Sequence, residues 1–277
     1  MCQVTKILAF VFLIALLAAL AVSWAANHTY QTSYSVHTVD GTPITSRADV
    51  PTKRPYPIPD TLSHTLTPSE YGEIVQSLVT ISCTCDGQGG CGGSGFLYDN
   101  GDKTVVITAR HVYTDFSGKI SNQCTVRTKS YAPHVEFPIT GFAHTTDTSD
   151  LGFIYIDSNG FARGYRYPIS SQSLHIDYRT CNPTTPDTVV TFGFPNKILS
   201  IKTGVVSANT FDIVTMGNYR YKAYQANIRA VSGQSGGVAI LKRDGRPCIV
   251  GVTTAGNDYR MSILDIDDSD IRFVSHR

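Results

Sequence analysis

The sequence predicts an all-β protein, built as two stacked barrels or a sandwich. Three observations carry that expectation. The 277 residues include 23 Gly, 12 Phe and 15 Tyr, a composition of turns and strands. From Glu73 onward, short apolar or alternating runs recur between turn residues. After Trp24 no window sustains a 3.6-residue apolar stripe, which leaves Ser269 to Val274 as one short expected helix.

The runs, in order, are Ile74–Ser82, Gly95–Tyr98, Thr104–Thr108, Thr125–Ser130, Leu151–Ile156, Thr188–Phe194 and Val238–Leu241. Asp99-Asn100-Gly101-Asp102 reads as a hairpin loop, because Asn and Gly tolerate positive φ. Asp244-Gly245 reads as another, between Val238–Lys242 and Cys248–Thr253. No repeat at solenoid spacing interrupts the series.

Lys+Arg is 23 and Asp+Glu is 22, a net charge of +1, and charged residues make up 16%. A nucleic-acid binder needs clustered Lys and Arg for its phosphate contacts, so no nucleic-acid partner is expected. A disordered, highly charged tail is excluded on the same ground.

The N-terminus stands apart. After Met1 and Lys6, an apolar run from Ile7 to Trp24 is broken only by Ser23. A charged start, an apolar middle and Ser23-Trp24-Ala25 fit a signal peptide cleaved before Ala26. The run also approaches the ~20 residues that span a bilayer, with Trp24 as an interfacial anchor, so residues 7–24 equally suit a retained membrane tether. No Lys or Arg follows until Arg47, and either reading sends the rest of the chain out of the cytoplasm, secreted or membrane-anchored. Residues 26–70 contain a Ser/Thr/Pro-rich linker, and the folded domain is expected to run over residues 71–277. Asn27-His28-Thr29 is a glycosylation sequon.

Cys2 precedes the apolar run; Cys83, Cys85, Cys91, Cys124, Cys181 and Cys248 follow it. An even count in an exported chain favours up to three disulfides, with pairing open. Cys83, Cys85 and Cys91 would alternatively suit zinc, but they lack paired C-x2-C spacing and a nearby His.

Three strings carry chemistry. In Gly233-Gln234-Ser235-Gly236-Gly237, a serine sits in a glycine-rich turn whose backbone N–H groups can face a developing oxyanion. Thr108-Ala109-Arg110-His111-Val112 puts a candidate general base at the end of a strand. Asp150-Leu151-Gly152-Phe153 opens a strand with an acid. Singly, each reads as a turn or a packed residue. Their order, His then Asp then Ser, does not.

With Gly93-Ser94-Gly95-Phe96-Leu97, these strings resemble the trypsin-like (chymotrypsin-fold) serine peptidases, in their compact bacterial and viral branch. Gly193-Phe194-Pro195 and Gly204-Val205-Val206-Ser207 resemble the opening of the family's second barrel, and Gly251 to Gly256 its cleft-lining strand. The resemblance covers roughly residues 72 to 270. It implies two six-stranded antiparallel β-barrels, about 71–165 and 175–270, with the active site in the cleft between them. It further implies that Ser235 attacks the scissile carbonyl, His111 moves its proton and Asp150 orients the imidazole. Gly233 and Ser235 supply oxyanion N–H groups, and Thr254, Ala255 and Gly256 pair with an extended peptide or protein substrate. Neither metal nor organic cofactor is implied.

Departures from the family pattern matter. Gln234 replaces the Asp that binds a newly cut N-terminus in digestive members, so no such activation switch is expected. Arg110 stands where Ala is typical and is expected to be an exposed neighbour of His111. Arg229, six residues before Ser235, falls at the base of the specificity pocket, where a buried cation would favour an acidic side chain; Asp258 and Arg260 stand close enough to reverse that. Asp147 is the alternative acid, and a peptidase-fold binding module without activity is the alternative function. An α/β-hydrolase is excluded, because its His comes last and a helix follows its Ser.

Overall fold

The computed structural model describes residues 52–53, 57–62, 65–85, 89–99, 104–115, 117–121, 123–129, 131–132, 134–146, 149–157, 159–162, 165–170, 176, 178–214, 220–267 and 270. The expected signal or anchor, Cys2, the sequon and Asp147 lie outside the described residues, as does the Ser269–Val274 helix apart from Asp270. No described helix is long and apolar enough to cross a membrane.

The chain runs β1 (Thr52–Lys53), α1 (Pro68–Ser77), β2 (Leu78–Cys85), β3 (Gly89–Asp99), β4 (Thr104–Ala109), β5 (Cys124–Thr128), β6 (Tyr131–Ala132), β7 (Val135–Phe137), β8 (Ile139–His144), β9 (Leu151–Ile156), β10 (Asn159–Ala162) and β11 (Tyr165–Ser170). It continues through β12 (Thr188–Gly193), β13 (Ser200–Val214), β14 (Arg220–Ala226), β15 (Val238–Arg243), β16 (Arg246–Gly256) and β17 (Met261–Asp265).

The first half forms a nine-stranded antiparallel sheet in the order β11-β10-β7-β5-β2-β3-β4-β9-β8. β7 pairs with β5 and β8 pairs with β9, yet Pro138 alone separates β7 from β8. One bent strand therefore bridges the two sides of the curled sheet. Proline suits the point of exchange, since it has no N–H to give to a ladder. Six strands make that ring, and the β10–β11 hairpin extends it. The second half is a closed barrel, β12-β13-β14-β17-β16-β15. The all-β, two-barrel expectation holds.

Alternation along β12 and β15 explains why their sequences read as continuous apolar runs. Val189, Ala239 and Leu241 pack inside the second barrel with Tyr224, Val250 and Ile263. Val190, Phe192, Val238 and Ile240 join the other cluster, which contains the first barrel's core. Both faces of these strands are buried because successive side chains point to opposite sides. The Asp244-Gly245 hairpin is present: Arg243 pairs with Arg246, and the two turn residues have φ 52 and 76, as a type I′ turn requires.

The N-terminal boundary differs from the expectation. Residues Ile74–Ser77 are helical rather than extended, and the strand starts at Leu78. Thr67 and Glu70 form a capping box, with Pro68 in the first turn. That Thr-x-x-Glu signal stands in the sequence, inside a stretch whose Ser/Thr/Pro content reads as linker. Leu62 and Leu66, also in that stretch, are buried in the core with Tyr71, Ile74 and Val75. The helix spans both halves: the Tyr71 ring lies 6.3 Å from that of Phe192, and Lys242 of β15 donates to Glu70 at 3.0 Å.

Three disulfides are present, Cys83–Cys124, Cys85–Cys91 and Cys181–Cys248. The cysteine cluster is therefore spent on sulfur–sulfur bonds, not on zinc. Cys83 and Cys124 are direct partners in the β2–β5 ladder.

Candidate active site

Strand register brings His111 and Asp150 together. β4 and β9 pair Thr108 with Gly152 and Ala109 with Leu151. One step further, the Arg110 N–H donates to the Asp150 carbonyl. A 3₁₀ turn, Arg110–Val112, then presents His111 directly over the Asp150 side chain. The His111 Nδ1 lies 2.9 Å from Asp150 Oδ2, and the His111 backbone N–H donates to Oδ1 at 3.0 Å.

Asp150 is fully buried while the His111 side chain is 33% exposed. A buried carboxylate needs several donors. The third is the Thr254 hydroxyl, which donates to Oδ2 at 2.6 Å. Having one proton to give, Thr254 can only accept from Tyr221, whose hydroxyl is 3.2 Å away. Burial pushes the Tyr221 phenol well above its ordinary value, so it stays a donor.

Arg110 is not the exposed neighbour expected. It is only 8% exposed, and its guanidinium donates to the Thr146 carbonyl at 3.3 Å. The turn carrying His111 and the loop leading to Asp150 are thereby tied together.

Ser235 occupies the turn after β14. Gly233 and Gly236 have φ of +88 and +86, a conformation that favours glycine. The Gln234 carbonyl faces inward, accepting from Thr253 Oγ1 at 2.6 Å and Gly237 N at 2.9 Å. In a trans peptide the N–H points opposite to the carbonyl, so the Ser235 N–H faces outward. Among the described residues, neither the Ser235 nor the Gly233 N–H has a hydrogen-bond partner.

The Ser235 hydroxyl donates to the Thr254 carbonyl at 2.7 Å, not to His111. Thr254 thus touches both Ser235 and Asp150. The β15–β16 ladder ends at Val238↔Val252, and β16 shifts register against β17 between Thr253 and Gly256. Thr254 and Ala255 consequently present a backbone edge outside both ladders, and Gly256 pairs with Met261.

Arg229 is not a buried cation. Its side chain is 70% exposed and pairs with Asp258 at 3.0 Å. Arg260 reaches Gln225 at 3.3 Å, away from that pair. The cation beneath the turn is Lys202, which sequence reasoning missed. It donates to the Arg229 carbonyl at 2.6 Å and to Gln234 Oε1 at 3.3 Å. Burial, then the Arg229 charge, lowers the Lys202 pKa. Among the described residues no cluster of three or more His, Cys, Asp or Glu is arranged to hold a metal ion.

A family model described as trypsin-like peptidase domain matches residues 93–252. No curated protein matches the sequence. Among solved structures, the active form of the Rv3671c protease from M. tuberculosis is similar with a TM-score of 0.55 at 18% identity, over 81% of this chain and 91% of that one. The thermostable serine protease AL20 from an extremophilic microorganism gives 0.53 at 12% identity, over 73% and 95%. An HtrA-type protease, AlgW, with a tripeptide gives 0.52 at 15%, over 74% and 60%. At such identities these likenesses speak for the fold.

Proposed function

This chain belongs to the trypsin-like peptidase family and is a serine-type endopeptidase, and from that premise we propose that His111, Asp150 and Ser235 cut protein or peptide substrates through an acyl-enzyme. The observation that carries the proposal is the buried Asp150 carboxylate engaging His111 Nδ1 at 2.9 Å. A carboxylate on Nδ1 holds the proton there, which leaves Nε2 as the base.

Catalysis then needs the Ser235 hydroxyl to turn from the Thr254 carbonyl to His111 Nε2. A substrate strand laid along Thr254, Ala255 and Gly256 offers its own N–H to that carbonyl. The displaced hydroxyl loses its proton to His111 and attacks the scissile carbonyl. The free N–H groups of Gly233 and Ser235 receive the oxyanion, and His111 returns the proton to the leaving amine. Water repeats the sequence on the ester. No metal or organic cofactor takes part. With Arg229 neutralised by Asp258, an acidic side chain before the cut gains nothing from it.

The three disulfides support an extracytoplasmic location. Residues 7–24 would be either the removed signal or the tether that leads there.

The inactive binding module draws on one observation, the Ser235 hydroxyl's attachment to the Thr254 carbonyl. A fluorophosphonate probe on the oxidised full-length protein separates the two readings. Labelling that Ser235→Ala and His111→Ala both abolish is expected. Unlabelled, folded wild type would favour the binding module.

A further inference from the structure

We infer that Ser94 is a positioning residue, which aligns the oxyanion donors of the Ser235 turn from the opposite barrel. The inference rests on reading Gly233 and Ser235 as those donors.

Ser94 lies on β3 and is fully buried. Its backbone N–H donates to the Ser235 carbonyl at 2.7 Å. Its hydroxyl donates to the Gly233 carbonyl at 2.8 Å and accepts the Phe194 N–H at 2.7 Å. Its own carbonyl accepts from Thr108 Oγ1 at 2.7 Å. Every polar atom of the residue is engaged, and three of its four hydrogen bonds cross the barrel interface.

Two of the three partners bracket the turn. Fixing the Gly233 carbonyl fixes the plane of the peptide that follows Gly233, and fixing the Ser235 carbonyl does the same after Ser235. Between them the Gln234 carbonyl is held inward, as described above. The peptide that carries the Ser235 N–H is thereby flanked by two held peptides, and the Gly233 N–H stands on the residue whose carbonyl Ser94 holds. Glycines permit the approach: a Cβ on Gly93 would stand 2.5 Å from the Ser235 carbonyl oxygen, and one on Gly236 would strike the Ser94 carbonyl oxygen. A small side chain that donates one hydrogen bond and accepts another is what position 94 needs, and serine is the smallest that does both.

Alignment of oxyanion donors acts on the tetrahedral species and not on the bound substrate. Ser94→Ala in the full-length protein should therefore lower kcat about 10- to 100-fold, less than the 10²–10³ lost when a donor is removed outright. KM should stay within about threefold. A peptide aldehyde, which forms a tetrahedral adduct, should lose affinity by the same factor as kcat/KM. Ser94→Cys keeps a donor and an acceptor on a slightly larger atom and weakens both hydroxyl bonds; its kcat should fall between wild type and Ala, which preserves the test if Ala does not fold. Unchanged kcat and aldehyde affinity in a folded variant overturn the inference. So does a loss in which KM rises and aldehyde affinity does not follow kcat/KM. A wild-type protein that the fluorophosphonate leaves unlabelled overturns the underlying reading instead, and the inference with it.

Discussion

The Thr254 hydroxyl donates to Asp150 Oδ2 at 2.6 Å, linking the cleft strand of one barrel to the buried carboxylate of the other. Tyr221 stands behind it at 3.2 Å, so removing the Thr254 hydroxyl takes a donor from Asp150 and the acceptor from Tyr221 at once.

Thr254→Val should accordingly cost about 2 kcal/mol of stability, the usual worth of a hydrogen bond to a charged group. It should also lower kcat/KM about tenfold, as Asp150 loses one of the donors that orient it. Thr254→Ser restores the hydroxyl and should return kcat/KM to within about threefold of wild type. Thermal melts and steady-state kinetics on one peptide substrate check both; a Ser variant as impaired as Val would count against the hydroxyl's role.

Two glycines with similar φ should behave differently. Gly236 (φ +86) and Gly245 (φ +76) both lie in the left-handed region. A Cβ at Gly245 meets nothing within 4 Å, so Gly245→Ala should cost about 1–2 kcal/mol from backbone strain alone. A Cβ at Gly236 would collide with the Ser94 carbonyl oxygen and Thr108 Oγ1, which Ala cannot relieve without parting the barrels. Gly236→Ala should lose upwards of ~4 kcal/mol and all peptidase activity. Circular-dichroism melts of the two variants side by side give the comparison.

Asp270 should make stability fall between mild acid and neutrality. Burial, above all, pushes its carboxyl up from 3.8 to about 6, the Asp267 N–H opposes this, and the Asp267 and Asp265 charges add to it. Between those values the folded protein keeps a proton that the unfolded chain has released. Stability is therefore full below pH 3.8 and is lost as pH rises toward 6. Asp270→Asn should melt like wild type near pH 4 and above it at pH 7.5, by about 1 kcal/mol once solvent screening is allowed for. A difference independent of pH would contradict the assignment.

The Arg229–Asp258 pair is exposed on both sides, and such pairs contribute about 0–1 kcal/mol. Arg229→Ala should leave the melting temperature nearly unmoved. In a peptide library it should leave the acceptance of Asp or Glu before the cut where it was in wild type. A selective loss of acidic peptides would revive Arg229 as a specificity residue.

Contiguous residues determined a good deal. Period-two runs with Gly and Asn turns specify strands and the Asp244-Gly245 hairpin, because the physics of a turn is settled within four residues. The strings around His111, Asp150 and Ser235 point to a family because their order along the chain is itself the signal. The even number of cysteines after the apolar N-terminal run pointed to disulfides but not to their pairing. The capping box at Thr67 was legible too, and the Ser/Thr/Pro composition around it outweighed the signal.

What only the tertiary structure decided are the partners that cross between elements. Ser94 reaches Gly233 across 139 residues, and Thr254 reaches Asp150 across 104. Lys202 finds the turn that Arg229 was expected to serve, while Arg229 turns to solvent and Asp258. Arg110 is buried because register sets it against Asp150. Such contacts follow from ladder register, from the bend at Pro138 and from how the two barrels meet. All three are set by burying both faces of strands far apart in sequence, a free-energy balance that no local pattern encodes.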